Sequence, residues 1–312
     1  MTKKQELWKS CDTYFLSKVY HDWTCPMGVI SKVVGKPDYC IHAKARKMGL
    51  KRIKRFYVNS TYFDILNTWE KCYILGLLSA DGNNEEKYGR ISINLQEGDK
   101  KLLEDVSNNL EFTGQIMYKP SGNNKANLKI QPQWYLGFTD KHMSERLTKL
   151  GVTPRKSLTL KFCLEVPEEF LSAYILGLWD GDGCISFSKS TNQPRFSFVG
   201  SESVVNNMAK VLHEQCDVEL PKIIKTQNNY SFTIGGTKKV KRLRDWLYKN
   251  AKIFLQRKYD RMFSIKETWE PKREFKSCIM CGNKMIAKGL CRRHYNIEYN
   301  KTYKLKNDVE NV

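Results

Sequence analysis

Apolar positions along the 312-residue chain fall into a pattern that is written twice. Two runs, Tyr73–Gly82 (YILGLLSADG) and Tyr174–Gly183 (YILGLWDGDG), are nearly the same and predict two short apolar helices. Small residues recur four apart in each: Cys72, Gly76 and Ala80 in the first, Ala173, Gly177 and Gly181 in the second. On a helix that spacing puts them on one face, where two backbones can come close. After each run, period-two alternation predicts a half-buried strand, Arg90–Leu95 (RISINL) and Arg195–Val199 (RFSFV). Helical stretches follow at 99–110 and 203–215. Strands with polar turns come next, at 115–119 and 127–130, answered by 222–226 and 231–234. Basic helices at 141–150 and 238–249 close the halves. Helix, two strands, helix, two strands, helix, done twice, is an α+β fold with pseudo-twofold symmetry. The offset from Gly76 to Gly177 is 101, and so is that from Asp81 to Asp182.

Residues 1–55 predict three helices instead. Leu7, Cys11, Tyr14, Phe15 and Val19 form an apolar stripe on the first. Thr24 with Pro26 opens a second, which carries Val29, Ile30 and Val33 and is closed by Gly35. Asp38 caps a third that runs to Met48 and ends at Gly49. Helix, short turn, helix is the helix-turn-helix plan, whose last helix enters the major groove of DNA. Lys36, Lys44, Arg46, Lys47, Lys51, Arg52, Lys54 and Arg55 stand against one acid, Asp38, in this stretch. Tyr39, His42, Lys44 and Arg46 are the candidate base-reading residues. The competing reading is a small interaction module with a solvated charged helix.

Net charge widens the case for a polyanionic partner, because it reaches +20 with basic residues spread along the chain. The free faces of the expected strands carry donors and amphoteric groups suited to base edges and phosphates. These are Arg90, Ser92, Asn94, Lys119, Asn127, Lys129, Arg195, Ser197, Lys225, Gln227, Ser231 and Thr233. No apolar run reaches transmembrane length and no signal peptide is read at the start, so a cytoplasmic, membrane-free protein is expected. Seven of the ten cysteines lack a spacing pattern, which suits a reducing compartment. The other three belong to Cys278-x₂-Cys281 and Cys291-x₂-His294, the ligand set of a closed, structural Zn²⁺ site. A segment of about forty residues buries too little apolar surface to fold alone, so the metal would supply folding energy. Lys284, Lys288, Arg292 and Arg293 surround the site and suit it to DNA, with protein binding as the other use.

The acids of the two apolar runs carry the chemistry. Asp81 and Asp182 fall at the last helical turn, before Gly82 and Gly183, which read as C′ glycines. A carboxylate is misplaced at that negative end of the helix dipole, and the rule is broken twice at matching positions. Helices packed through their small faces would bring both carboxylates side by side, a site for a hard divalent cation such as Mg²⁺. On these residues both segments resemble the signature of the LAGLIDADG homing endonucleases.

That resemblance implies two αββαββα repeats joined through their motif helices, with a saddle of antiparallel sheets over DNA. It implies Asp81 and Asp182 as catalytic metal ligands, helped by the backbone carbonyls of Ala80 and Gly181. The halves end alike, Pro154-Arg-Lys-Ser157 and Gln256-Arg-Lys-Tyr259, and the resemblance nominates Lys156 and Lys258 as catalytic residues near the metal. Phosphate-anchoring or solvated lysines are the alternative. The family's usual second acid, two residues earlier, is kept as Asp180 but replaced by Ser79 in the first half. The sequence around Cys291 resembles small zinc fingers appended to phage-type nucleases.

The expected organisation is a helix-turn-helix domain (1–56), an endonuclease domain (57–270, repeats about 57–160 and 161–270) and a zinc-finger module (271–312). The expected function is a monomeric homing endonuclease that hydrolyses phosphodiester bonds of double-stranded DNA with Mg²⁺. Relatives of such a fold also act as RNA maturases on intron RNA or as non-cleaving DNA-binding regulators, so both stay open as alternatives.

Overall fold

The computed structural model describes residues 8–22, 25–52, 56–123, 129–154, 156–265, 277–283, 285–286 and 289–309, with the side chains at 123, 129, 157 and 301–309 left aside. The expected contributions of Leu7, Thr24, Lys54, Arg55, Asn127, Lys284 and Lys288, and of the Lys129 side chain, lie outside the described part. The chain divides into two compact units, the first made of residues 1–181 and 251–255, the second of 182–250 and 256–312.

The first unit begins with three helices, α1 (Ser10–Val19), α2 (Met27–Val34) and α3 (Asp38–Lys47). They enclose a core of their own, made of Leu16, Tyr20, Ile30, Val34, Ile41 and Ala45. On α1 the buried stripe therefore runs one position beyond the expected one. Leu16 and Tyr20 are inside, while Tyr14 is 68% exposed and Cys11 lies on the surface. On α2 it is Ile30 and Val34 that are buried, and Val29 and Val33 face outward. Gly35 and Gly49 end α2 and α3 in the left-handed conformation that a side chain disfavours (φ 65° and 69°).

The motif helix α4 (Trp69–Ala80) opens at Thr68, whose side chain accepts from the Lys71 N–H. Strands β1 (Gly82–Glu85) and β2 (Arg90–Gln96) follow, then α5 (Lys100–Asn109), β3 (Met117–Lys119), a short hairpin of β4 (Gly122–Asn123) with β5 (Lys129–Ile130), β6 (Gln133–Thr139) and α6 (Lys141–Lys149). The antiparallel sheet runs β1-β2-β6-β3. Of the strand expected at 127–130, the described residues 129–130 pair with β4, and the sheet strand is β6. Trp134, Tyr135 and Leu136 form an unbroken apolar run there, which hides the period of two. Asn84 is buried on β1, its amide donating to the carbonyls of Ser144 (3.0 Å) and Val152 (2.8 Å), and so ties the sheet to α6. The second motif helix, α7 (Leu171–Asp182), belongs to this unit through Gly181.

In the second unit the order recurs as β7 (Gly183–Phe187), β8 (Pro194–Gly200), α8 (Glu202–Cys216), β9 (Ile224–Lys225), β10 (Tyr230–Gly235), α9 (Thr237–Tyr248) and α10 (Gln256–Phe263). Its antiparallel sheet is β7-β8-β10-β9, the same succession of first, second, last and third strand as in the first unit. Phe196, Phe198, Phe232 and Ile234 make the buried face, and Ser201 caps α8 by accepting from the Val204 N–H. A final helix, α11 (Arg292–Val309), was not foreshadowed by the periodicity.

Within the first unit α4 and α7 meet backbone to backbone. A Cβ at Gly76 would overlap the Tyr174 carbonyl, and one at Gly177 would overlap the Tyr73 carbonyl and sit 2.7 Å from the Leu77 nitrogen. Neither obstacle is a flexible side chain. Gly177→Val is expected to lower unfolding free energy by about 3 kcal/mol, the upper range for overpacking. A fall in the urea midpoint with an unchanged denaturant slope would show it. A midpoint equal to wild type would mean that the helices do not touch at this glycine.

Candidate catalytic centre, metal site and nucleic-acid interface

Asp81 caps α4 with its own N–H bonded to the Leu77 carbonyl (2.9 Å), and its side chain is exposed. Gly82 is not the left-handed C′ residue expected, because the chain passes straight from Asp81 into β1. Glycine is needed there for closeness, since a Cβ would overlap the Leu78 carbonyl. Asp182 likewise ends α7 with an exposed side chain, and Gly183 starts β7.

Around Asp81 the geometry is specific. An added Cβ at Gly181 would collide with Ala80 and lie 3.3 Å from Oδ2 of Asp81, so Gly181 makes the space in which that carboxylate rests. Lys156 is 7% exposed, and its ammonium donates to the carbonyls of Ala80 (3.3 Å) and Gly82. Lys258 is 4% exposed and donates to the Gly183 carbonyl (2.6 Å) in the second unit. Each motif acid therefore has a buried ammonium bonded to the carbonyl of the glycine that follows it. A carbonyl oxygen has two lone pairs, so the lysine bond leaves Ala80 able to serve a cation as well. Carboxylate and carbonyl oxygens are the donors that a hard divalent ion takes, and the residues present fit Mg²⁺ on that ground.

Asp180, 1% exposed, has a different office from Asp182. Its Oδ2 accepts from the Tyr73 hydroxyl (2.7 Å) and from the Leu255 N–H (2.9 Å). It pins residues 251–255 to the motif helices, and Lys252 adds an ion pair to Glu70 on α4 (2.7 Å). Ser79, at the matching place on α4, is buried too. Tyr174, the counterpart of Tyr73, is deeply buried, and burial is the main cause that lifts its hydroxyl pKa.

Near the end of the chain, Cys278, Cys281, Cys291 and His294 come together with their ligand atoms all within 4.8 Å of one another. Sulfurs held on one tetrahedral zinc ion stand about 3.8 Å apart. Cys281 and Cys291 are 3.7 Å apart, and His294 Nδ1 is 3.3 and 3.5 Å from the sulfurs of Cys278 and Cys291. The set fits zinc in size and chemistry. Burial works against ionisation of Cys278, but hydrogen bonds from the Cys291 N–H and from His294 outweigh it and bring its thiol down to about 6.

The outward face of the first sheet carries Arg90, Asn94 and Lys119 as expected, all exposed. Tyr135 lies on that face too, buried among them, and was missed. In the second sheet Arg195 and Ser197 share the outward face, but register pairs Ile224 with Ser231 and Lys225 with Tyr230. Lys225 is thus on the side of Tyr230, with its ammonium over that ring at 5.5 Å, and Ile224 stands where Lys225 was expected. A one-residue difference in register moves a side chain to the other face. Gln227 is exposed in the turn between β9 and β10.

On α3, Tyr39, His42 and Arg46 share a face with Ala43 and line a groove of about 670 Å³ with Tyr20 and Lys51. His42 Nδ1 shares a hydrogen bond with the Tyr20 hydroxyl (2.8 Å). Lys44 does not join them; it is half-buried, with its ammonium over the Trp8 ring. Arg292 and Arg293 open α11 and are exposed. No described helix is long and apolar enough to cross a membrane.

No protein-family model matches the chain. It is 25% identical over 138 residues to a DNA polymerase of Thermococcus hydrothermalis and 26% identical over 148 residues to a DNA polymerase of Thermococcus sp. (strain GE8). These stretches are 43% and 46% of this chain, and they span 8% of the length of either polymerase. Among solved structures it is similar to the LAGLIDADG homing endonuclease I-LtrWI bound to target DNA, at 13% identity and TM-score 0.38, over 66% of this chain and 90% of that one. It is also similar to the homing endonuclease I-WcaI bound to its DNA recognition sequence, at 14% identity and TM-score 0.46, over 64% of this chain and 89% of that one.

Proposed function

We propose that the chain is a site-specific endonuclease of double-stranded DNA that uses Mg²⁺ and works as a monomer. The observation that carries this reading is the backbone contact of the motif helices, with Gly181 opening room for the Asp81 carboxylate and a buried lysine bonded beside each acid. A purely structural helix pair has no use for two exposed terminal carboxylates set against the helix dipole.

In this reading Asp81 and Asp182 are the Mg²⁺ ligands, helped by the carbonyls of Ala80 and Gly181. Mg²⁺ when bound supplies Lewis acidity, making water a nucleophile near neutral pH and neutralising the leaving oxygen. Lys156 and Lys258 keep the backbone after each acid fixed and bring a cation to the site, where it can stabilise charge developing on the phosphate oxygens. The outward faces of the two sheets read base edges and phosphates, with Arg90, Asn94, Lys119 and Arg195 as the principal groups. The α3 face of Tyr39, His42 and Arg46 serves as a second DNA contact, in keeping with a helix-turn-helix domain at 1–56. The zinc module at 271–312 adds a third through Arg292 and Arg293, behind an endonuclease domain at 57–270.

Cleavage of DNA carrying the gene's own uninterrupted insertion locus tests the reading. Wild type with Mg²⁺ is expected to cut at one place and to stop with EDTA. Asp81→Asn and Asp182→Asn should each abolish cutting or leave a nick. Lys258→Met should slow cleavage about 100-fold, the scale for losing one charge-stabilising donor, with DNA affinity kept. Tight, salt-sensitive binding without any cut would overturn the endonuclease in favour of a regulator, or of a maturase if RNA competes.

Atomic emission on the purified chain should find one zinc per molecule, and Cys281→Ser should lose it. Limited proteolysis beyond residue 277 would then accelerate, since metal binding and folding of such a module are one process. Zinc content unchanged by Cys281→Ser would remove that cysteine from the site.

A further inference from the structure

Tyr135 is placed unusually for a tyrosine on the outward face of a sheet. It stands between Asn94 and Met117 in register, yet it is 6% exposed. Its ring lies along its own strand over Gly137, where any Cβ would overlap the phenol. Two cations are gathered on it. The Arg90 guanidinium donates to the Tyr135 hydroxyl (3.0 Å), and the Lys119 ammonium stands 3.9 Å above the ring centroid. Lys119 also donates to Oδ1 of Asn94 (3.0 Å), which engages that amide's acceptor and leaves its NH₂ as the group offered outward.

The cluster is therefore a surface of hydrogen-bond donors held by one aromatic side chain. Of the four bases only guanine presents two adjacent acceptors, N7 and O6, in the major groove, whereas adenine pairs its N7 with a donor. We propose that Tyr135 is a positioning residue for sequence recognition, holding Arg90, Lys119 and Asn94 so that the first sheet selects guanine. The proposal rests on the reading that this sheet faces duplex DNA, and it names what that face selects. The second sheet has Val199 and Ser231 paired outward at the matching strands, so it has no such platform. Guanine selection of this kind belongs to one half of the target.

Selection of a randomised duplex library by the full-length, zinc-loaded protein in buffer without Mg²⁺, where binding is read without cleavage, tests this. Wild type is expected to enrich a site with guanine at fixed positions in one half. Tyr135→Phe keeps the ring under Lys119 and removes the hydroxyl from Arg90, and it should relax guanine preference there about tenfold, the lower end for a bidentate base contact. Arg90→Lys, which keeps the charge without the fork, should relax the same positions. Preferences in the other half should stay, as should the salt dependence for Tyr135→Phe. Overall weakening with the base ranking intact would overturn the proposal and reduce Tyr135 to a structural residue. An unchanged consensus in both variants would also overturn it. If wild type enriches no sequence, the DNA-facing reading of the sheet falls with it; failure of cleavage alone would leave this inference standing.

Discussion

Everything at the candidate centre depends on two helices approaching without side chains between them. Gly76 and Gly177 each face a carbonyl of the other helix, and the approach continues down the pair to Ala80 and Gly181. There it determines how much room the Asp81 carboxylate has. Methyl-sized changes along this seam are thus changes to the site, although none of the glycines has a reactive group. The pull between the two roles is visible in composition: the seam needs small residues and the core around it needs large ones. Tyr73, Tyr174 and Trp179 supply the bulk on the other sides of the same turns.

The lysines show how a charge can be built into a scaffold. An ammonium with so little exposure needs oxygen partners, and each finds them in the carbonyl after a motif acid. The backbone that follows each acid is thereby fixed by a bond that does not involve the carboxylate. Asp180 spends its carboxylate differently, on Tyr73 and Leu255. Ser79, buried at the matching place on α4, has no carboxylate to form such a tie.

Local signals in the sequence were readable where their cause is local. Small residues four apart, alternation at Arg90–Leu95, the glycines that end α2 and α3, and the paired Cys/His spacings each reflect constraints within a few residues. The matching ends of the two halves marked Lys156 and Lys258 as counterparts, but not that both are buried on carbonyls, since this depends on where distant strands begin. Strand β6 was hidden because one of its outward residues, Tyr135, is as apolar to the eye as its inward ones. Lys225 was assigned to the wrong face because a two-residue strand has too little pattern to set register. Lys44 fell out of the α3 group because five residues past Tyr39 a helix has turned about 140°, to the side on which Trp8 lies.

The return of residues 251–255 to the first unit has a consequence for how the protein is made. The first unit lacks a part of itself until residues 182–250 of the second have been synthesised, for Asp180 receives the Leu255 N–H only after them. At translation rates of about 5–20 residues per second, several seconds separate the emergence of the donor from that of its acceptor. During that interval the Asp180 carboxylate is without the Leu255 amide from which it accepts in the finished fold. The chain cannot mature strictly from front to back; its first unit closes only after residues 182–250 of the second have been made, as a clasp is closed after the strap has passed through.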